Sequence, residues 1–170
     1  QRISLAREFL KKMKSGFETA EQYIAQPQTQ KIQANILPEG ENLLLQPLLP
    51  KRLQLNGVIT GRVQGGDVLV SFKDFIAVLE LPIEMDVGTK TAEGWYIREH
   101  KKFKMDVTTG RVETDIGAFT IPSNRVLEES GDILLPLSEI GQWFDFEIAL
   151  DVSSLEVVIT PSLPLPIQES

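Results

Sequence analysis

Gly66-Asp67-Val68-Leu69-Val70-Ser71-Phe72-Lys73-Asp74-Phe75 returns 65 residues later as Gly131-Asp132-Ile133-Leu134-Leu135-Pro136-Leu137-Ser138-Glu139-Ile140. The correspondence runs without a gap to Asp86-Val87 and Asp151-Val152, and six of its 22 positions are identical. Other pairs exchange like for like, as in Phe72/Leu137, Asp74/Glu139 and Leu79/Phe144. A repeat constrains architecture before any single residue is interpreted. Here it predicts one small structural unit used twice.

Each unit carries the same signals. In the first, Leu53-Gln54-Leu55 and Val58-Ile59-Thr60 flank Asn56-Gly57, a strong hairpin dipeptide because both turn residues need positive φ. Gly65-Gly66 turns into a strand at Val68–Val70. Lys73 to Leu81 has helical spacing at Phe75, Val78 and Leu79, and Pro82 closes it. Ile83–Asp86 reads as a strand, and so does the whole of Trp95–Val107. The second unit supplies strands around Gly117, a turn at Ser130-Gly131, a strand at Ile133–Leu135 and a short helix over Leu137–Phe144. Further strands follow at Phe146–Leu150 and Leu155–Thr160.

Outside the repeat, Ile3, Ala6, Leu10, Met13, Phe17, Ala20 and Ile24 alternate spacings of three and four, the stripe of an amphipathic helix over 3–24. Such a helix either lies on its own domain or pairs with another chain or a missing domain. Residues 26–50 are rich in Gln, Pro and Leu. Their prolines argue against a continuous helix or a central strand. Leu43-Leu44-Leu45 and Leu48-Leu49 are nevertheless too apolar for a solvated linker and are expected to lie extended against the body. The predicted organisation is therefore α+β: helix 1–25, connector 26–50, tandem α+β lobes at 51–109 and 110–160, and a Pro-rich exit at 161–170.

Composition excludes several functions. The net charge of −7 disfavours nucleic acid as a partner, since phosphate binding needs basic surface. The absence of cysteine excludes disulfides, thiol catalysis and cysteine-ligated metal. No run reaches the roughly 18 apolar residues of a membrane span. The chain opens on Gln1 rather than Met, and is expected to be an excised or processed piece of a longer protein.

Candidate chemistry is sparse. His100, the single histidine, stands among Arg98, Lys101, Lys102 and Lys104, whose positive charge disfavours an imidazolium. Two carboxylate pairs, Glu113/Asp115 and Asp145/Glu147, could serve a hydrolase only if held at the right separation. No phosphate loop, dinucleotide fingerprint or calcium loop occurs. No catalytic residue, metal or cofactor is expected. The one candidate binding feature is Trp95 at a loop edge with a basic stripe, Arg98, His100, Lys102 and Lys104. The same lysines could simply protect a sheet edge. Trp143, opposite Val78 of the first unit, is expected in the core.

Leu55-Asn56-Gly57, then Gly131–Ile140, then Phe146-Glu147-Ile148-Ala149-Leu150-Asp151, then Val157-Val158-Ile159 resemble the copper amine oxidase N-terminal-like (stalk) domain. They also resemble the small periplasmic lobes that precede the barrel of fimbrial usher-like outer-membrane proteins in Gram-negative bacteria. Gly94-Trp95-Tyr96-Ile97-Arg98-Glu99 with Phe103, and the tail Pro164-Leu165-Pro166-Ile167-Gln168, are more similar to the second group. The resemblance spans roughly residues 51–168. It implies a non-catalytic periplasmic spacer or binding module of a larger outer-membrane protein, with an envelope or secreted protein as partner. The alternative is a polysaccharide- or cell-wall-binding accessory domain of a secreted enzyme.

Overall fold

The computed structural model describes residues 31–169. The expected helix over 3–24 lies outside them. In chain order the elements are β1 (Asn42–Leu49), β2 (Leu53–Gln54), β3 (Ile59–Gln64), β4 (Asp67–Ser71), helix α1 (Phe72–Val78), β5 (Ile83–Asp86), β6 (Thr91–Tyr96), β7 (Arg98–Asp106), β8 (Arg111–Glu113) and β9 (Ala118–Thr120). Then come β10 (Leu127–Glu129), β11 (Asp132–Pro136), helix α2 (Leu137–Phe144), β12 (Glu147–Asp151), β13 (Glu156–Thr160) and a last turn, α3 (Pro166–Glu169).

The α+β expectation of two tandem lobes is overturned. The described chain is mostly β, and its strands form two sheets. One is eight-stranded, in the order β10-β11-β4-β3-β1-β13-β12, with β2 beside β1; the other is the meander β5-β6-β7-β8-β9. The reason is visible at β4. All five of its residues are buried, so it needs a neighbour on each edge. On one edge it pairs with β3, and on the other with β11, the corresponding strand of the second repeat.

That pairing is self-complementary. Val70 lies opposite Leu135, its own counterpart 65 residues on, and Leu69↔Pro136 and Ser71↔Leu134 flank it symmetrically. A local two-fold axis therefore passes through the Val70–Leu135 pair, as at an isologous dimer interface. The pairings within the two repeats correspond as well. Arg62↔Leu69, Val63↔Val68 and Gln64↔Asp67 become Leu127↔Leu134, Glu128↔Ile133 and Glu129↔Asp132. Ile83↔Gly94 through Asp86↔Thr91 become Ile148↔Ile159 through Asp151↔Glu156. The duplicated element is thus β3-β4-α1-β5-β6, matched in register by β10-β11-α2-β12-β13.

Polar groups cross the axis in pairs. Ser71, the N-cap of α1, accepts the Asp74 N–H (3.0 Å) and donates its hydroxyl to Asp132 (3.0 Å). In the other direction Ser138 donates to Asp67, which also holds Arg125 (Nη2–Oδ2 2.7 Å) and accepts the Val68 N–H (2.7 Å). Arg62 on β3 reaches over β4 and β11 to grip Glu129 with two hydrogen bonds.

The core is one cluster drawn from both repeats and both sheets. Phe144 sits at its centre, with ring centroids 4.9 Å from Phe103, 5.0 Å from Tyr96, 5.4 Å from Phe146, 6.1 Å from Phe75 and 6.4 Å from Phe72. Trp143 is fully buried and meets Phe72 edge-on at 6.5 Å.

Three local expectations are corrected. The segment around Pro47 lies inside the large sheet between β3 and β13, not outside it. Proline is tolerated there because its nitrogen faces Leu55 on the returning strand: Leu55 N donates to Pro47 O (3.1 Å), and the Gln46 side-chain amide donates to Leu55 O (3.1 Å) in place of the missing N–H. Gln46 N bonds Leu155 O, so the next residue along, Pro47, turns its nitrogen away from β13. Asn56-Gly57 is not a hairpin turn. Both β2 and β3 run antiparallel to β1, and the register offset between Leu48↔Gln54 and Leu45↔Ile59 makes Asn56-Gly57 a kink in one interrupted return strand, with Gly57 at φ 98°. Finally, Trp95–Val107 is not one strand. It folds back at Ile97, which has φ 51° although β-branched and is buried.

Candidate functional site

The five-stranded sheet turns Ile83, Ala92, Phe103, Met105 and Val112 inward to the core. Its other face is charged, and Trp95, Lys102 and Lys104 lie on it. Trp95 is half-buried near the end of β6, opposite Lys102 on β7. The register then jumps: Tyr96, one residue on, faces Arg98, so the segment Glu99-His100-Lys101 bulges from the ladder. His100 and Lys102 are exposed there.

The stripe is not a uniform basic patch. The Arg98 guanidinium donates to the carbonyls of Ile97 (2.8 Å) and Pro164 (3.2 Å), pinning the C-terminal tail to the hairpin. Lys101 pairs with Asp115 (3.2 Å). Lys104 sits between Glu93 on β6 and Glu113 on β8. Glu113 is held below the usual carboxylate range, first by its hydrogen bond from Arg111 (2.7 Å) and further by Lys104. Of the five residues, the structure brings Trp95 and Lys102 together across a strand pair, sets Arg98 and His100 beside Trp95 around a shallow open depression, and leaves Lys104 within an acidic neighbourhood.

The carboxylate pairs separate. Glu113 bonds Arg111 and Asp115 bonds Lys101, while Asp145 ends α2 in the left-handed region with φ 59°. Between the repeats, where a hydrolase would need a cleft, Phe72, Trp143 and Phe144 fill the space. Among the described residues no group of three or more His, Asp and Glu is placed to hold a metal ion, and no helix is long and apolar enough to cross a membrane.

Two other features escaped sequence reasoning. Tyr96 is buried, its phenol pushed up by desolvation, and its oxygen accepts the Asp115 N–H (3.2 Å), which ties β6 to the β8–β9 loop. Glu84 and Glu93 lie directly opposite each other, both exposed, with Asp86 one pleat further along β5. With Met85, Val87 and Thr91 they line a second open depression, at the edge of the sheet. Only strand register brings these acids together, so no spacing in the sequence reveals them.

No protein-family model matches the chain, and no curated protein or solved structure matches it.

Proposed function

We propose that the chain is a non-catalytic accessory module of a larger, usher-like outer-membrane protein, and that it works in the periplasm by positioning or recruiting an envelope or secreted protein. The observation that carries this reading is the fusion of two repeats about one core. The large apolar side chains are committed to packing, and the space between the repeats is filled. What faces outward is a broad charged sheet face with strand edges at both ends, a surface suited to holding other polypeptides. The resemblance of the repeat and the tail to periplasmic lobes of usher-like proteins supports the location.

The test is fractionation and crosslinking of cells that make the full-length protein. It should fractionate with the outer membrane, and a defined envelope protein should crosslink to it. Trp95→Ala combined with Lys102→Glu should weaken that crosslink. Recovery in the cytoplasmic fraction, or no crosslinked envelope protein at all, overturns the reading. A polysaccharide-binding role is a second reading, favoured by the depression where Trp95 adjoins Arg98 and His100. Retention on purified peptidoglycan that is lost on Trp95→Ala would replace the first reading with the second.

A further inference from the structure

The local two-fold makes the two repeats informative about each other, and their outer edges are used differently. In the second repeat the edge strand β12 is extended by the chain itself. Lys31 lies parallel to it opposite Ala149; Lys31 N donates to Ile148 O (2.8 Å), and Leu150 N donates to Lys31 O (2.9 Å). The Lys31 ammonium also lies 4.0 Å from Glu147.

Transferring this bond pattern back by 65 residues places it on β5. Ile148, Ala149 and Leu150 become Ile83, Glu84 and Met85, in hairpins of identical register. The groups needed point the right way. Trp95 N donates to Pro82 O (3.1 Å), so by the two-residue alternation of an antiparallel ladder Glu84 and Asp86 bond toward β6. The Ile83 carbonyl and the Met85 amide therefore face away from it. β5 is the end strand of its sheet, and no described strand pairs with it on that side.

We propose that β5 takes an extended, basic segment of a partner protein as a parallel sixth strand, one residue of the partner repeating on Glu84 the bonds that Lys31 makes on Ala149. This deepens, and rests on, the reading of the chain as a recruiting module. Charge selects the occupant. Aligned residues of parallel strands share a face, so a Lys or Arg opposite Glu84 lands on the Glu84–Glu93 row. Those two carboxylates oppose each other across β5 and β6; Lys104 on β7 flanks Glu93, so the like-charge cost falls chiefly on Glu84 at the outer edge. A cation added there relieves the repulsion, and Asp86 extends the acidic rim. The partner's alternate residues would meet the side of the sheet that carries Ile83 and Met85, so they should be apolar.

The probe is the capped peptide Thr-Thr-Val-Lys-Val-Thr-Thr, titrated into the isotope-labelled full chain and followed by amide NMR. The expected result is chemical-shift change concentrated at residues 83–86, slowed exchange of the Met85 amide, and no response to the same peptide with Glu in place of Lys. Met85→Pro deletes the outward N–H on an edge strand, where proline is tolerated, and should weaken binding at least about fivefold. Glu84→Gln with Glu93→Gln leaves the backbone intact and should also weaken it, which separates charge selection from any folding defect in the proline variant. No change at β5, or an equal response to the Glu peptide, overturns the proposal. So does an envelope crosslink that survives Met85→Pro, although that result leaves the accessory role standing. The absence of any crosslink in the parent protein would instead remove the accessory role.

Discussion

Replacing Phe144 by alanine probes the shared core at its centre. The ring is fully buried and has five aromatic neighbours with centroids between 4.9 and 6.4 Å. Those neighbours come from α1, β6, β7 and the start of the β12 segment, so the cavity would be walled by both repeats and both sheets. Truncating a buried Phe to Ala costs about 3–5 kcal/mol, from lost transfer energy and the cavity left behind. Each lost aromatic pair can add about 0.5–1.5 kcal/mol beyond area, so the upper part of that range applies. For a protein of this size each kcal/mol lowers Tm by about 2–4 °C, so a cost of about 4–5 kcal/mol puts the expected drop at about 8–20 °C. The assay is thermal and urea unfolding followed in parallel by far-UV circular dichroism and tryptophan fluorescence, the latter weighted toward buried Trp143. The two probes should trace one transition, displaced as a whole. Phe144→Leu, which keeps most of the volume, should cost less, about 1–2 kcal/mol. Two transitions, one of them with an unchanged midpoint, would refute the reasoning, because the repeats would then be independent lobes.

Arg125→Ala should destabilise the protein by about 1–3 kcal/mol in urea unfolding, because it leaves the Asp67 carboxylate, 8% exposed, without its cation. Gly94 stands where the second repeat has Ile159, and a Cβ there would lie 2.1 Å from Pro82 O and 2.6 Å from Ile83 Cα. Gly94→Ala should therefore push β5 off β6 and cost about 1–3 kcal/mol, seen as faster hydrogen exchange over residues 83–86. Burial raises the Glu139 carboxyl above its ordinary value of 4.5, an effect opposed by Arg125 and reinforced by Asp67. A folded-state pKa above the unfolded one means that the native protein holds this proton more tightly. The stability contributed is full below about pH 4 and is lost as pH rises through the raised folded value. Glu139→Gln should accordingly gain stability over wild type at pH 7, and that gain should fade toward pH 4 in paired melts.

The repeat was legible because Gly-Asp opens a strand and Phe72/Leu137 opens a helix in both copies, and a helical pattern survives conservative exchange. What the two copies do to each other was not legible. Strand pairing between β4 and β11 depends on both edges being unclaimed, which no local pattern encodes. Pro47 reads as a breaker until the Gln46 side chain is seen to satisfy the Leu55 carbonyl that its missing N–H would have met. Asn56-Gly57 reads as a hairpin until β1 takes the strands on both sides. The turn at Ile97 carries no glycine, proline or asparagine; burial of its side chain in the core holds it at positive φ. The basic stripe was legible as alternation in β7. Its neutralisation by Glu93 and Glu113, and the acidic row at Glu84, depend on register, which sequence spacing does not report.

The most direct measurement is the set of interstrand nuclear Overhauser contacts in solution around residues 69–71. A two-fold fusion of the repeats predicts backbone contacts for Leu69 with Pro136, Val70 with Leu135 and Ser71 with Leu134, all in one molecule. Contacts from β4 to β3 alone, with β11 pairing only with β10, would contradict it and return the chain to two separate lobes.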